Sequence, residues 1–172
     1  YKFPSVTEIN NKENINSINL NCLSCEELLG RDYRPPDPNL LGPSIEGKVS
    51  CVTGAGGSIG SELVKQIMRL NPQKIILFEM NEYALYKLTQ EISKSKNKNI
   101  EIVNVLGDAT KRNLLRKVLI ENSVDVIFHA AAYKHVPLVE ENPLTGIFNN
   151  ILSTRIVCEE ALRAHVGKVI FI

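Results

Sequence analysis

Cysteine is scarce in this chain of 172 residues, and what there is of it is scattered. Cys22, Cys25, Cys51 and Cys158 are too few and too spread to staple a disulfide scaffold, and Cys51 and Cys158 lie in apolar stretches that predict buried thiols in a reducing compartment. Cys22-Leu-Ser-Cys25 has no second pair and no neighbouring histidine, so it lacks the ligands of a zinc site. It also falls in irregular sequence rather than after a strand, where a redox pair belongs. No metal is expected. Neither charge sign dominates: 20 Lys and Arg against 19 Asp and Glu leave a net charge of +1, which gives no electrostatic case for nucleic acid or an anionic bilayer. No apolar run reaches the roughly 18 residues that span a membrane, and no basic and apolar leader opens the chain. No Gly-Lys-Ser/Thr closes the glycine-rich stretch, which excludes a Walker loop.

What is present starts at residue 48. Lys48-Val-Ser-Cys-Val-Thr-Gly-Ala-Gly-Gly-Ser-Ile-Gly60 is a β-prone run that stops at a glycine loop and opens into an amphipathic helix. Gly54, Gly57 and Gly60 stand three apart, which is the spacing of a dinucleotide fingerprint, or else a glycine loop that only turns the chain. The first glycine allows a tight turn, the second lets the backbone approach a pyrophosphate, and the third lets the helix pack on the sheet. The anion then meets free N–H groups at the positive helix end, beside Ser58 and Ile59. Ile59, Leu63, Ile67 and Leu70 read as one apolar helical stripe. The strand Lys74-Ile-Ile-Leu-Phe78 then ends in Glu79, at the distance from Gly60 where a carboxylate meets an adenosine ribose.

Strands are predicted at 48–53, 74–79, 100–106, 124–130 and 168–172, with helices at 58–70, 82–95, 111–122 and 143–165. Their alternation predicts a Rossmann-type, doubly wound α/β fold with a parallel sheet of order 3-2-1-4-5. Residues 1–44 read as an irregular extension, Asn-rich at 10–19, with a short helix candidate at Ser24–Gly30 and an extended linker at Arg34–Pro38; the nucleotide-binding domain is placed at 45–172. The first residue is tyrosine and the last strand, ending at Ile172, leads nowhere, so the chain is expected to be cut from a longer one, with the sheet truncated after its fifth strand.

Ligands of such folds gather beyond the carboxyl ends of the strands. Those positions hold the glycines and Ser58, then Glu79 and Asn81, then Asp108 and Ala109, then Ala130, Ala131 and Ala132. Asp108 reads either as an acceptor for an adenine amino group or as an N-cap for the next helix. The three alanines either admit a nicotinamide ribose or serve close packing. Glu79 has the alternative of an exposed carboxylate leading a helix. Lys134 and His135 stand in a loop, where they could meet a sugar nucleotide or simply be solvated. Asn150 either reaches the site through a backbone carbonyl or faces solvent, interrupting a stripe of Ile147, Ile151, Thr154 and Cys158. His129 ends the fourth strand with its ring packed or capped.

Three blocks together resemble one family: Val52–Leu63, Phe78–Tyr86 and, most specifically, His129-Ala-Ala-Ala-Tyr-Lys-His-Val-Pro-Leu-Val-Glu-Glu-Asn-Pro143. They are similar to CapD-like polysaccharide biosynthesis proteins, nucleotide-sugar 4,6-dehydratases among the extended short-chain dehydrogenase/reductases. Residues 24–47 resemble the connector of the membrane-anchored branch, and Phe3-Pro-Ser-Val resembles the exit of its preceding domain. The resemblance implies upstream membrane helices, a site on the cytoplasmic face of the plasma membrane, and a homo-oligomer. It implies a UDP-N-acetylhexosamine substrate that loses hydride from C4 to bound NAD(P), loses water across C5–C6, and regains hydride at C6. NAD is favoured and NADP possible, because Met80 and Asn81 supply no arginine beside Glu79. The family's acid/base loop follows the fifth strand. The catalytic residues are therefore expected after Ile172, none is assigned within this chain, and the chain alone is expected to be inactive. An epimerase and a non-enzymatic dinucleotide sensor share the same first half and remain alternatives.

Overall fold

A computed structural model describes residues 38–93 and 100–172. The Cys22–Cys25 pair, the Ser24–Gly30 helix and the resemblance at 24–37 lie outside the described residues. The elements run α1 (Pro38–Ile45), β1 (Val49–Thr53), α2 (Ser58–Arg69), β2 (Lys74–Glu79), α3 (Glu82–Ser93), β3 (Glu101–Leu106), α4 (Arg112–Glu121) and β4 (Val126–His129). There follow α5 (Val136–Glu141), α6 (Pro143–Gly146), a π-helical turn (Ile147–Leu152), α7 (Ser153–Arg163) and β5 (Lys168–Phe171). All five strands are parallel in the order β3-β2-β1-β4-β5. The chain reverses its winding between β1 and β4, which puts a crevice above the carboxyl ends of those two strands.

The three inner strands explain why this order forms. Every residue of β1 and β4, and all of β2 but Lys74, is buried. Such runs need helices on both faces. Val52, Ile75 and Leu77 meet Val64, Ile67 and Leu88 on one side, while Cys51, Ile76 and Ile127 meet Leu115, Leu119 and Val157 on the other. Burial pushes the Cys51 thiol up to about 12, so it stays protonated and inert. Helix α1 starts in the stretch assigned to the extension and ends at Ile45, the first residue assigned to the domain, which enters the first of these cores.

The fifth strand is one residue shorter than expected, and Ile172 is not part of it. Strand β4 ends at His129, whose register partner is Phe171, so the ladder has no residue left to pair with Ile172. The Ile172 N–H makes a last bond to the His129 carbonyl at 3.3 Å, and the residue is exposed at 57%.

The helical stripes differ from the sequence reading in two places. In α2 the sheet-facing residues are Gly60, Val64, Ile67 and Met68, and Ile59 is 50% exposed. The cause is Gly60: a Cβ there would stand 2.0 Å from the Gly54 carbonyl, so the helix sits on the sheet at its glycine and turns Ile59 outward. The helix expected at 143–165 is instead a broken series that starts at Val136. Pro143 disfavours helical geometry at Asn142, which has φ −130° and ψ 60° and separates α5 from α6. The π turn then adds a residue to the winding and shifts every later side chain around the axis. Ile147 and Ile151 are therefore exposed, and the buried row of α7 is Ser153, Ile156, Val157, Glu160 and Ala161. Cys158 is half-buried rather than buried, for the same reason.

Candidate functional site

The glycine loop is built from the strand outward. Gly54 leaves β1 with φ +66°, and a Cβ there would come 2.7 Å from the Ala131 backbone. Its N–H donates to the Phe78 carbonyl at 2.9 Å, so β1 is tied to β2 at the point where it turns. Gly57 precedes α2 as its N-cap and no side chain caps the helix, whose first N–H groups have no intrahelical acceptor. They face the crevice.

Two cavities meet there. One, of about 370 Å³, is walled by Gly54, Glu79, Asn81, Asp108, Ala109 and Ala131. The other, of about 450 Å³, is walled by Ser58, Ile59, Gly60, Lys134, His135 and Leu138. Gly57, Ala130, Ala132 and Tyr133 line both. The structure thus brings together every strand-end residue singled out in the sequence, and Asn150 stands directly behind them. Ile172, at the end of the fifth strand, lines neither cavity.

Glu79 is buried, 7% exposed, rather than an exposed carboxylate leading α3. Its Oε2 accepts the Gly56 N–H at 2.9 Å and its Oε1 accepts the Asn81 N–H at 2.9 Å, so the carboxylate locks the glycine loop to β2 while each oxygen keeps a lone pair for a ligand. Asn81 turns its Oδ1 to the Ala84 N–H at 3.0 Å and caps α3. Its amide nitrogen and the second lone pair of Oδ1 are left for a ligand. Asp108 does not cap α4, whose N-cap is Lys111 without a side-chain bond. Its Oδ1 accepts the Thr110 N–H at 2.7 Å in a local turn, which holds the carboxylate at the cavity wall.

Behind the alanines runs a chain of hydrogen bonds. His129 is buried, with Nδ1 2.6 Å from Thr53 Oγ1 and Nε2 3.2 Å from Thr154 Oγ1. Thr154 donates its own proton to the Asn150 carbonyl at 2.6 Å, so it must accept from Nε2–H, which leaves Nδ1 to accept from Thr53. The ring is therefore the neutral Nε2–H tautomer, in keeping with burial that lowers its pKa. Asn150 in turn accepts the Tyr133 N–H on Oδ1 at 2.8 Å and donates Nδ2 to the Tyr133 carbonyl at 2.9 Å. Of its two alternatives, Asn150 takes the backbone contact.

Sequence reasoning missed Tyr133, Leu138, Asn142, Thr145 and Asn149 as cavity residues. Reading the segment around Lys134 and His135 as a plain loop hid Tyr133 and Leu138, and missing the break at Asn142 between two short helices hid Asn142 and Thr145. Among the described residues no cluster of side chains could hold a metal ion, and no helix is long and apolar enough to cross a membrane.

A profile of the polysaccharide biosynthesis protein family matches residues 50–172. The capsular polysaccharide biosynthesis protein CapD of Staphylococcus aureus is 40% identical over 172 residues, which cover 100% of this chain and 28% of that protein. A UDP-N-acetylglucosamine 4,6-dehydratase (inverting) of Campylobacter jejuni is 32% identical over 127 residues, 73% of this chain and 36% of the relative. Among solved structures, the DesIV double mutant, a dTDP-glucose 4,6-dehydratase of Streptomyces venezuelae with NAD bound, aligns with a TM-score of 0.61 at 26% identity. That alignment covers 70% of this chain and 37% of the other. The chain spans well under half the length of the relatives it matches. The parallel five-stranded sheet, the convergence of its strand ends and these likenesses agree, and the chain belongs to the polysaccharide biosynthesis protein family.

Proposed function

We propose that this chain is the dinucleotide-binding portion of a nucleotide-sugar 4,6-dehydratase that acts on a UDP-N-acetylhexosamine in surface glycan synthesis. The observation that carries the reading is the pair of cavities joined at Gly57, with Glu79 and Asp108 on one side and Lys134 and His135 on the other. That is the shape and polarity a dinucleotide needs: carboxylates for ribose and base, uncapped N–H groups for the diphosphate, and a second chamber for the other nucleoside. Gly57 supports the fit, since its φ of −69° and ψ of 168° are open to any residue and a Cβ there would meet only the Gly54 carbonyl, at 3.2 Å, leaving the rest of the space above it open to a ligand. NAD, when bound, supplies a reversible hydride acceptor for the sugar carbon. The residues of this chain bind and orient. The α2 N-terminus holds the diphosphate, Glu79 accepts hydrogen bonds from ribose hydroxyls, and Lys134 and His135 face the sugar nucleotide. None of them is assigned the acid/base steps, which belong to residues that follow Ile172 in the whole protein. We further place the whole protein at the cytoplasmic face of a membrane, as a homo-oligomer.

NAD is the favoured cofactor on electrostatic grounds. A 2′-phosphate beside the buried Glu79 carboxylate would meet a like charge in a poorly screened site, where an interaction of a few kcal/mol is ordinary at about 4 Å. Titration by calorimetry is expected to show NAD binding at least about tenfold tighter than NADP. Glu79→Gln keeps an acceptor for one backbone N–H and removes the charge, so it should narrow that ratio. Tighter NADP binding by the unaltered chain would overturn the assignment.

The reaction is tested on the whole protein, at the length its relatives have, beside residues 1–172 alone. Incubation of the whole protein with UDP-N-acetylglucosamine should yield a product lighter by one water, a 4-keto-6-deoxy sugar. A product of unchanged mass with an inverted hydroxyl would show an epimerase instead. Turnover by residues 1–172 would show that the acid/base groups precede Ile172 after all.

A further inference from the structure

We infer that Tyr133 is a positioning residue for ligands that span both cavities, held over their junction by the Asn150 amide. The inference rests on the dinucleotide reading above and adds to it a residue and a mechanism of preorganisation. Tyr133 is one of four residues common to the two cavity walls, and the other three are glycine and alanines. Only Tyr133 among them carries a side chain long enough to act across the junction.

Its main chain is immobilised from one side chain. The Asn150 amide accepts the Tyr133 N–H at 2.8 Å and donates to the Tyr133 carbonyl at 2.9 Å, pairing with both polar groups of one residue as a neighbouring strand would. The amide is itself oriented: Asn149 Nδ2 donates to Asn150 Oδ1 at 2.9 Å, and Thr154 fixes the Asn150 carbonyl. All three residues lie in or next to the π turn, where the added residue brings Asn149 and Asn150 to the crevice side. A π turn is seldom kept without use. The phenol, by contrast, is uncommitted. The residue is 43% exposed, and among the described residues its hydroxyl makes no hydrogen bond.

A rigid backbone under a free aromatic ring describes a contact whose ordering precedes ligand binding, and preorganisation of this kind raises affinity. The junction is where the diphosphate must cross from the Glu79 chamber to the Lys134 chamber. Tyr133 shares that junction with Gly57 of the glycine loop, and in this reading its ring covers the crossing while the phenol donates a hydrogen bond to a phosphate oxygen or ribose hydroxyl. A ligand confined to the Glu79 chamber does not need it.

The test compares NAD, which spans both chambers, with AMP, which fills one, by calorimetry on the 172-residue chain. Tyr133→Ala is expected to weaken NAD about tenfold and AMP less than about twofold. Tyr133→Phe, which removes only the hydrogen bond, should weaken NAD about twofold to fivefold. Asn150→Ala should approach the Tyr133→Ala loss although the tyrosine is intact, and the double variant should lose no more than Tyr133→Ala, because both act on one contact. Asn150→Asp, which sets an oxygen against the Tyr133 carbonyl in the same volume, serves where the alanine variant does not fold. NAD affinity unchanged in Tyr133→Ala, or AMP weakened as much as NAD in a variant of native circular dichroism, would overturn the inference alone. Failure of the unaltered chain to bind either nucleotide would overturn the dinucleotide reading as well.

Discussion

Gly57→Val is expected to lower NAD affinity by about 100-fold or more while circular dichroism and the melting temperature stay near those of the unaltered chain. The three fingerprint glycines separate on this point. Gly54 has φ +66° and lies against the Ala131 backbone, and Gly60 abuts the Gly54 carbonyl, so side chains at either would distort the protein itself. Gly57 has ordinary extended backbone angles, and a Cβ there would meet only the Gly54 carbonyl, at 3.2 Å. Relieving it takes a shift of a few tenths of an ångström, far less than the 2.0 and 2.7 Å contacts at Gly60 and Gly54 demand, so the protein is expected to yield. The ligand cannot, because Gly57 stands at the junction of both cavities and two valine methyls would fill the path of the diphosphate. A loss of about 2.7 kcal/mol, the equivalent of 100-fold, needs little more than one displaced charge-assisted contact at the helix end. Calorimetric titration of both chains decides it. A folded Gly57→Val chain that still binds NAD normally would remove the diphosphate from this loop.

Most of the fold was readable because its signals are local. The runs at β1, β2 and β4 are apolar without alternation, each is followed by a helical pattern, and both features dictate a parallel sheet covered on two faces. The strand-end residues followed from that topology, which is why Gly54, Glu79, Asp108 and Ala130 converge although 76 positions (130 − 54) separate the first from the last. What was hidden depends on phase or on distant partners. A single extra residue in the π turn moved Ile147 and Ile151 to the surface, and periodicity cannot register such an insertion. Ile59 fits a 3.6-residue stripe, but the close seat of Gly60 decides which side faces the sheet. Ile172 continues an apolar run, yet the end of the neighbouring β4 decides where the fifth strand stops. The pairing of Asn150 with Tyr133 joins residues that share no motif, and Glu79 could be placed at a ribose yet not seen to hold Gly56. The buried ion cluster of α4 and α7 gave no sign at all, since Glu159-Glu160 reads like any exposed pair on a helix.

That cluster carries the largest expected effect on stability. Glu160 is 0% exposed, and three guanidinium groups converge on it: Arg116 at 2.6 and 3.2 Å, Arg163 at 2.6 Å, and Arg112 in a short contact. Arg112 also donates to Glu159, so α4 is fastened to α7 through both carboxylates. Glu160→Ala would leave three guanidinium groups near one another with only Glu159 to offset them, each a third to a half exposed to water. Removing one side of a fully buried pair costs about 3–5 kcal/mol, and because water reaches all three arginines the loss here is expected at about 2 kcal/mol, still a sizeable share of the roughly 5–15 kcal/mol that holds a domain together. Arg163→Ala should cost about 1 kcal/mol or less, because its side chain is half exposed and water screens the pair. The hydrogen bonds from Arg116, reinforced by Arg112 against the opposing effect of burial, hold the Glu160 carboxyl at about 2. A depressed folded-state pKa contributes stability that is complete above the unfolded value of about 4.3 and drains away as pH falls toward 2. Urea melts of the unaltered chain should therefore show a loss of stability between about pH 4.5 and pH 2, and Glu160→Gln, already neutral, should show a shallower loss from a lower start. The consequence reaches the site, because α7 carries Thr154 and fixes the π turn that presents Asn150 to Tyr133. A Glu160→Ala chain that matches the unaltered one in urea midpoint at neutral pH would show that the cluster is ornament on the surface of α7 rather than its anchor.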